Sequence, residues 1–246
     1  MNRETIHHER AWLYDKIYSF KDYARESEIL RAMLNAEGIA DGAELLEAAC
    51  GTGSHLAHLA AWFRVSGFDK SPEMLAIART KLPSVTLFEA DMSELERPAE
   101  VDALLCLFSS IGYVVSEPRL RRTARAFAAA LRPGGVLILE PWLTREAYKL
   151  GHPTMHTWQD DDLKLCRQAV TRLDGDLSVL EMHWLVSRRD HDIEHFVELH
   201  ELCLHIPEVM GSALVDAGFE IRFEPVGLMP GRGLYIARKT GAAGRP

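Results

Sequence analysis

Apolar and polar positions change their period several times along the chain, and each change marks an element. The first ~35 residues place Tyr14, Ile17, Tyr18, Ile29, Leu30, Met33 and Leu34 at helical spacing among charges, which predicts helix up to a break at Asp41-Gly42. The apolar run Ala43 to Cys50 then ends in Gly51-Thr52-Gly53, as a buried parallel strand entering a turn does. Ser54 to Phe63 is an apolar helix, and Arg64 to Phe68 a second strand that ends at Asp69. Ser71-Pro72-Glu73 opens the next helix with a capping hydroxyl and a proline at its first position, and this helix runs to about Lys81. Val85 to Glu89 is a third strand and Val101 to Phe108 an almost continuously apolar fourth. A helix around Arg119 to Leu131 stops at Pro133-Gly134-Gly135, and Val136 to Glu140 is a fifth strand. Strands alternating with helices predict right-handed crossovers and a doubly wound, mostly parallel α/β sheet.

After Pro141 the helical period disappears. Within residues 153–205, runs such as Leu177 to Val186 and Ile193 to His205 are separated by turn formers at 174–176 and 190–192, which predicts an antiparallel β insertion. Pro207 to Ala217 is a helix stopped by Gly218, and Glu220 to Pro225 and Leu234 to Arg238 are the last strands. The expected organisation is N-terminal helices over 1–40, a core of 41–141 plus 206–240, and a β insertion over 142–205 that serves as a substrate lid.

Composition narrows the function more by exclusion than by suggestion. A chain of 246 residues, 47% hydrophobic and 26% charged, suits one α/β domain with an insertion. The net charge of −8 gives no attraction to nucleic acid or to an anionic membrane. No apolar run approaches the ~20 residues of a membrane span, and the N-terminus is too polar for a signal peptide. Cys50, Cys106, Cys166 and Cys203 lie far apart with no CxxC pair, so reduced thiols in a cytoplasmic protein are expected. No HExxH-like spacing, GxSxG elbow or Walker motif is present, and no metal is expected.

Open α/β sheets bind ligands at the carboxyl ends of their strands. Glu47, Gly51 to Gly53, Asp69 and Asp91 all fall there. A carboxylate ending the second strand can accept both hydroxyls of a ribose, and the glycines let the backbone approach a ligand closely. The same residues also suit structural roles: a tight turn for the glycines, a helix-entry cap for Asp69, a turn for Asp91. A dinucleotide fingerprint needs a third glycine where this chain has Leu56, which leaves an NAD-dependent oxidoreductase as a distant alternative.

The run LLEAACGTG, with Glu47 and Cys50, resembles motif I of the class I S-adenosylmethionine-dependent methyltransferases. The likeness extends further. KDYARE at 21–26, LLEAACGTGSHL at 45–56, DMSE at 91–94, CLFSSIGY at 106–113, LEPW at 139–142, EMHW at 181–184 and GRGLY at 231–235 follow in order. This order resembles the N,N-dimethyltransferases of nucleotide-linked amino sugars of the desosamine and mycaminose type, over most of the chain and including the β insertion. The resemblance implies a Rossmann-like methyltransferase core, S-adenosylmethionine as cofactor and S-adenosylhomocysteine as product. It places Tyr14 and Tyr23 over the cofactor, Glu47 near its methionine part, Asp69 at the ribose with Lys70 also binding the cofactor, and Asp91-Met92 beside the adenine. Ala49, Gly51, Gly53, Met74 and Leu107 complete the implied cofactor site. Phe108, Ser109, Ser110 and Trp142 would line the acceptor side, and Arg232 would meet an anionic part of the substrate, for which a guanidinium is suited.

Two departures keep the acceptor open. The amino-sugar enzymes carry His after SSIG, where this chain has Tyr113, and they carry a tyrosine upstream of the LYD segment, where this chain offers only His7 and His8.

Methyl transfer is an in-line displacement, so the protein must chiefly align the nucleophile in a dry site. An ammonium must first lose a proton, which calls for a His, Tyr or carboxylate near the acceptor. The candidates are Tyr113 at the end of strand four, Glu198 and His200 on one face of the last inserted strand, and His183 beside Glu181 on its neighbour. A structural or solvated role is open for each. The expected activity is N-methylation of a small-molecule amine of specialised metabolism, amino-sugar-like. The alternatives are methylation at carbon or nitrogen of an aromatic heterocycle such as an indole, and a catalytically silent cofactor-binding module. Neither nucleic acid nor membrane is an expected partner; a homodimer is implied by resemblance.

Overall fold

The computed structural model describes residues 6–7, 10–96 and 100–241. Its elements run α1 (Tyr14–Ile17), α2 (Tyr23–Ala36), β1 (Glu44–Ala48), α3 (Ser54–Leu59), β2 (Arg64–Asp69), α4 (Pro72–Lys81), β3 (Thr86–Glu89), β4 (Val101–Cys106), α5 (Glu117–Ala130) and β5 (Leu131–Leu139). Then follow β6 (Pro153–Gln159), β7 (Leu163–Asp174), β8 (Leu177–Arg188), β9 (Glu194–Cys203), α6 (Pro207–Asp216), β10 (Phe219–Glu224) and β11 (Leu234–Lys239).

Seven strands form the main sheet in the order β3-β2-β1-β4-β5-β11-β10. All neighbours are parallel except β11, which is antiparallel to both β5 and β10. The chain leaves β1 toward β2 on one side and returns through β4 on the other, so the crevice of the doubly wound sheet opens at the carboxyl end of β1. Both faces of the sheet are apolar and covered. Leu30 and Leu34 of α2 and Leu56 and Leu59 of α3 pack on Leu45 and Leu105, while Leu120 and Phe127 of α5 and Met210 and Leu214 of α6 pack on Leu46 and Leu104. Each such side chain contributes about 1.5–3 kcal/mol by leaving water.

The insertion is a separate antiparallel sheet, β6-β7-β8-β9. Its strands alternate: Leu163, Leu165 and Ala169 of β7 and Met182, Trp184 and Val186 of β8 turn inward and enclose Leu13 and Ile17 from the N-terminal segment. No helix among the described residues is long and apolar enough to cross a membrane.

Several boundaries differ from the sequence reading, each for a local reason. The N-terminal helix is interrupted between Ile17 and Tyr23, because the Asp22 carboxylate accepts the Arg25 N–H at 2.9 Å and starts a new helix. The helix after Gly53 ends at Leu59 rather than Phe63. β4 stops at Cys106, two residues early, because Phe108 (φ 51°) and Ser109 (φ 60°) are left-handed and continue no strand. β5 begins at Leu131 rather than Val136: its pairing jumps from Val101↔Leu131 to Ala103↔Val136, so Pro133-Gly134-Gly135 forms a bulge inside the strand rather than a loop before it.

Candidate active site

The turn after β1 is held in an uncommon backbone shape. Ala49 (φ 52°), Gly51 (φ 55°) and Gly53 (φ 74°) are all left-handed within five residues. Ala49 is unfavourable there by about 1–2 kcal/mol, a strain typical of sites that hold a ligand. A Cβ on Gly53 would stand 2.9 Å from Leu82 Cδ1, so that glycine is required for packing as well as for φ. The Gly51 N–H donates to Asp69 Oδ2 at 2.8 Å and the Ser71 N–H to Asp69 Oδ1 at 2.9 Å, which fixes the carboxylate at the end of β2 against the turn. Burial outweighs these two bonds and raises the Asp69 pKa above its usual value.

Between this turn, the N-terminal helices and the end of β4 lies a cleft. Tyr14, Tyr23, Glu47, Ala49, Gly51, Leu107, Phe108 and Ser110 line it, together with Cys50, Thr52, Ser54 and His55. Met74 sits behind the turn, its Cε 3.8 Å from where a Gly51 Cβ would be. Lys70 is exposed. Asp91 is bound by Ser93 (2.6 and 2.8 Å) and Arg119 (2.9 Å), and Met92 packs against the main core.

Beneath the cleft runs a chain of buried polar groups of which sequence reasoning named Glu47 alone. Lys21 Nζ donates to Glu26 Oε1 at 2.7 Å, Glu26 Oε2 meets His55 Nε2 at 2.8 Å, and His55 Nδ1 stands 3.3 Å from Glu47 Oε1. Burial alone would lower the His55 pKa; its bonds to the two glutamates outweigh that and raise it to about 9. Burial raises the pKa of Glu47, whose Oε2 is buried without a hydrogen-bond partner. Lys21 and Glu26 lie within KDYARE and His55 within LLEAACGTGSHL, so the signal was polar residues flanking motif positions.

The cleft has a roof, and the β insertion, the expected lid, packs on the same N-terminal segment. Asp15 of α1 accepts the Thr52 hydroxyl at 2.6 Å and pairs with Lys81 at 2.5 Å, fastening α1 to the turn below it. Tyr14 packs on Tyr18 with ring centroids 4.6 Å apart, and burial holds its hydroxyl pKa well above the ordinary value. The left-handed pair after β4 is anchored from β5 onward: the Phe108 N–H donates to Glu140 at 2.7 Å and the Ser109 hydroxyl to the Pro141 carbonyl at 2.7 Å.

On the lid's inner face, Tyr113 meets His200 Nδ1 at 2.8 Å, His200 Nε2 lies 3.6 Å from Glu198, and the Trp184 indole N–H donates to Glu198 at 2.8 Å. Tyr113 keeps 41% of its surface exposed, but its hydroxyl turns inward, where burial raises its pKa. The His7 ring lies 5.4 Å from His200 and 5.9 Å from Tyr113, while His8 lies outside the described residues. Arg232 lies over the rings of Trp142 (4.7 Å) and Phe108 (5.5 Å), with Nη1 buried and without a partner. Trp142 is pinned by its N–H to Ser178 at 2.8 Å. His183 is not brought to this site. It is exposed on the lid's outer face, between Glu181 (3.0 Å) and His195 (3.2 Å), because strand alternation sends it opposite to Trp184. Among the described residues no group of three or more His, Cys, Asp or Glu side chains is placed to hold a metal ion.

A family model described as a methyltransferase domain matches residues 45–135. Over 230 residues the chain is 36% identical to the dTDP-3-amino-3,6-dideoxy-alpha-D-glucopyranose N,N-dimethyltransferase of Streptomyces fradiae, covering 92% of this chain and 89% of that protein. The chain belongs to the S-adenosylmethionine-dependent sugar N-methyltransferase family. Solved structures extend the likeness of this methyltransferase. Streptomyces venezuelae DesVI superposes with a TM-score of 0.88 at 30% identity, covering 94% of this chain and 99% of that one. The sugar N-methyltransferase KedS8 from Streptoalloteichus sp. does so with 0.86 at 33% identity, covering 93% of each. The S-adenosylmethionine-bound amino pentose methyltransferase CalS10 of Micromonospora echinaspora gives 0.83 at 30%, covering 94% and 96%.

The residues of the methyltransferase cleft suit that cofactor. The unpartnered Glu47 oxygen suits an ammonium, and the Asp69 oxygens keep lone pairs free for hydroxyls. The left-handed turn brings backbone, rather than side chain, up to the cleft.

Proposed function

We propose that this methyltransferase methylates the amine nitrogen of a nucleotide-linked amino sugar. The observation that carries this reading is Arg232, a mostly buried guanidinium beside the cleft with one nitrogen unsatisfied, which suits a phosphate oxygen. The relatives' names, which specify dTDP-linked amino sugars, support the same acceptor class.

Bound S-adenosylmethionine supplies an electrophilic methyl group and leaves as a neutral thioether. The protein's own part is alignment, desolvation and removal of a proton. Tyr14 and Tyr23 cover the cleft, Glu47 holds its polar contents with Asp69 fixed against the turn beside it, and Phe108 and Ser110 bound it toward the acceptor. Trp142 supports Arg232 as a wall.

The amine must be neutral to attack. In this reading Tyr113 takes its proton: the ammonium N–H passes to the phenol oxygen while the phenol proton moves to His200 Nδ1, with which it is hydrogen-bonded. Glu198, fixed by Trp184, lies close enough to stabilise the resulting imidazolium. The raised Tyr113 pKa fits a conduit for the proton rather than a resting phenolate.

The test is to incubate the purified protein with S-adenosylmethionine and dTDP-3-amino-3,6-dideoxyglucose and follow product mass. Gain of one or two methyl groups on the sugar nitrogen supports the reading. No sugar product, alongside methylation of an indole panel, would overturn it.

A further inference from the structure

Arg167, on the inner face of β7, is only 5% exposed. Its Nη1 donates to the Tyr18 hydroxyl at 2.8 Å and its Nη2 to His156 Nδ1 at 3.1 Å, which uses two of its five N–H donors. Its Nε is buried with no partner. Neither partner is an anion, and among the described residues Arg167 forms no ion pair. The buried carboxylate on the same face, Glu198, accepts the Trp184 N–H through Oε2 and leaves Oε1 without a partner, but it forms no ion pair with Arg167, which lies 5.5 Å over the Trp184 ring. A guanidinium taken out of water without a counter-charge is costly, and an anion arriving from outside would supply the missing charge.

Its position fits that use. Arg167 lies 4.9 Å over the Tyr18 ring, Tyr18 stands edge-on to Phe108 at 5.2 Å, and Arg232 lies over the Phe108 ring. The two arginines therefore flank one aromatic pair, Arg232 from the core loop and Arg167 from the lid.

We propose that Arg167 is a second anion-binding residue of the acceptor site, taking a phosphate group of the acceptor from the lid side. The inference rests on the nucleotide-sugar reading only for the identity of that acceptor. Tyr18 and His156 act as positioning residues, holding the guanidinium plane without neutralising it.

The test is calorimetric titration of the full-length protein, saturated with S-adenosylhomocysteine, with inorganic pyrophosphate and with dTDP. Arg167→Gln is expected to weaken both by about tenfold or more, and Arg167→Lys by less, because it keeps the charge and loses the fork. S-adenosylhomocysteine affinity is expected to stay within about twofold, since a phosphate contact serves only its own ligand. Should Arg167→Gln lose S-adenosylhomocysteine binding or fold, Arg167→Lys gives the decision. Wild-type protein that binds neither phosphate ligand, or a folded variant that binds them as tightly as wild type, would overturn the inference. Arginine-dependent binding of pyrophosphate by a protein that methylates no amino-sugar nucleotide leaves this subsite standing and removes the acceptor reading instead.

Discussion

Leu56 lies against Gly67: its Cδ1 stands 2.7 Å from the point where a Cβ on Gly67 would be. The close approach of α3 to β2 is thus made by a glycine on the strand rather than by a third glycine on the helix. Cys50 Sγ, at 2.9 Å, closes the same space from the turn. Gly67→Ala is expected to destabilise the fold by about 1–3 kcal/mol through overpacking. Leu56→Ala alone costs about 2–5 kcal/mol as a cavity. Because the two share one space, the double variant is expected to lose less than the sum, and urea unfolding of the four proteins checks it. Strict additivity would contradict the contact.

Asp69→Ala removes an anchor of the turn and the proposed ribose acceptor together. Cofactor affinity is expected to fall by about ten- to a hundredfold, the range for hydrogen bonds to a charged group. Calorimetry with S-adenosylhomocysteine measures it, and an unchanged affinity would remove Asp69 from the binding site.

His55 gives a pH signature. Its folded pKa is raised from 6.5 to about 9, so the protonated form is the one that folding favours. Its contribution is fully present below the unfolded value and is lost as pH rises through about 9. His55→Gln is therefore expected to lower the melting temperature most near neutral and mildly acidic pH, with the two curves converging above the folded pKa. A gap that widens with rising pH would reverse the assignment.

Tyr113→Phe interrupts the proposed path from the amine to His200. The turnover number is expected to drop by about 10²–10⁴-fold at neutral pH with little change in acceptor KM. Part of the loss is expected to return at higher pH, where the free amine forms in solution. A flat pH dependence of the variant-to-wild-type ratio would mean that Tyr113 only packs.

Arg232→Met keeps the stacking volume over Trp142 and Phe108 and removes the charge. Acceptor KM is expected to rise by about ten- to a hundredfold, with cofactor affinity unchanged. Steady-state kinetics with the nucleotide sugar tests this.

Elements with a strong periodic or capping signal were legible from the amino-acid order. Ser71-Pro72 marked α4, the run up to Cys50 marked β1, and the apolar alternation marked β8 and β9. Boundaries governed by backbone conformation were not. Nothing in the residue types Phe108-Ser109 announces two consecutive left-handed residues, since these depend on anchors 32 residues away, at Glu140 and Pro141. The motif turn and the carboxylates near it were readable because their spacing is local. The Lys21–Glu26–His55–Glu47 chain was not, because it joins α2 to α3 across the cleft floor. His183 shows the converse: its chemistry suited the reaction, but only strand pairing decides which face it occupies.

The attachments of the N-terminal segment have a mechanical consequence. Leu13 and Ile17 are sealed by apolar contacts into the β insertion, whereas Asp15, between them, holds the motif turn through polar contacts alone. Apolar seams resist opening in water, whereas part-buried polar ties hold by hydrogen bonds and charge. The first helical turns of the chain are therefore joined to the insertion by packing and to the motif turn by the polar contacts of Asp15.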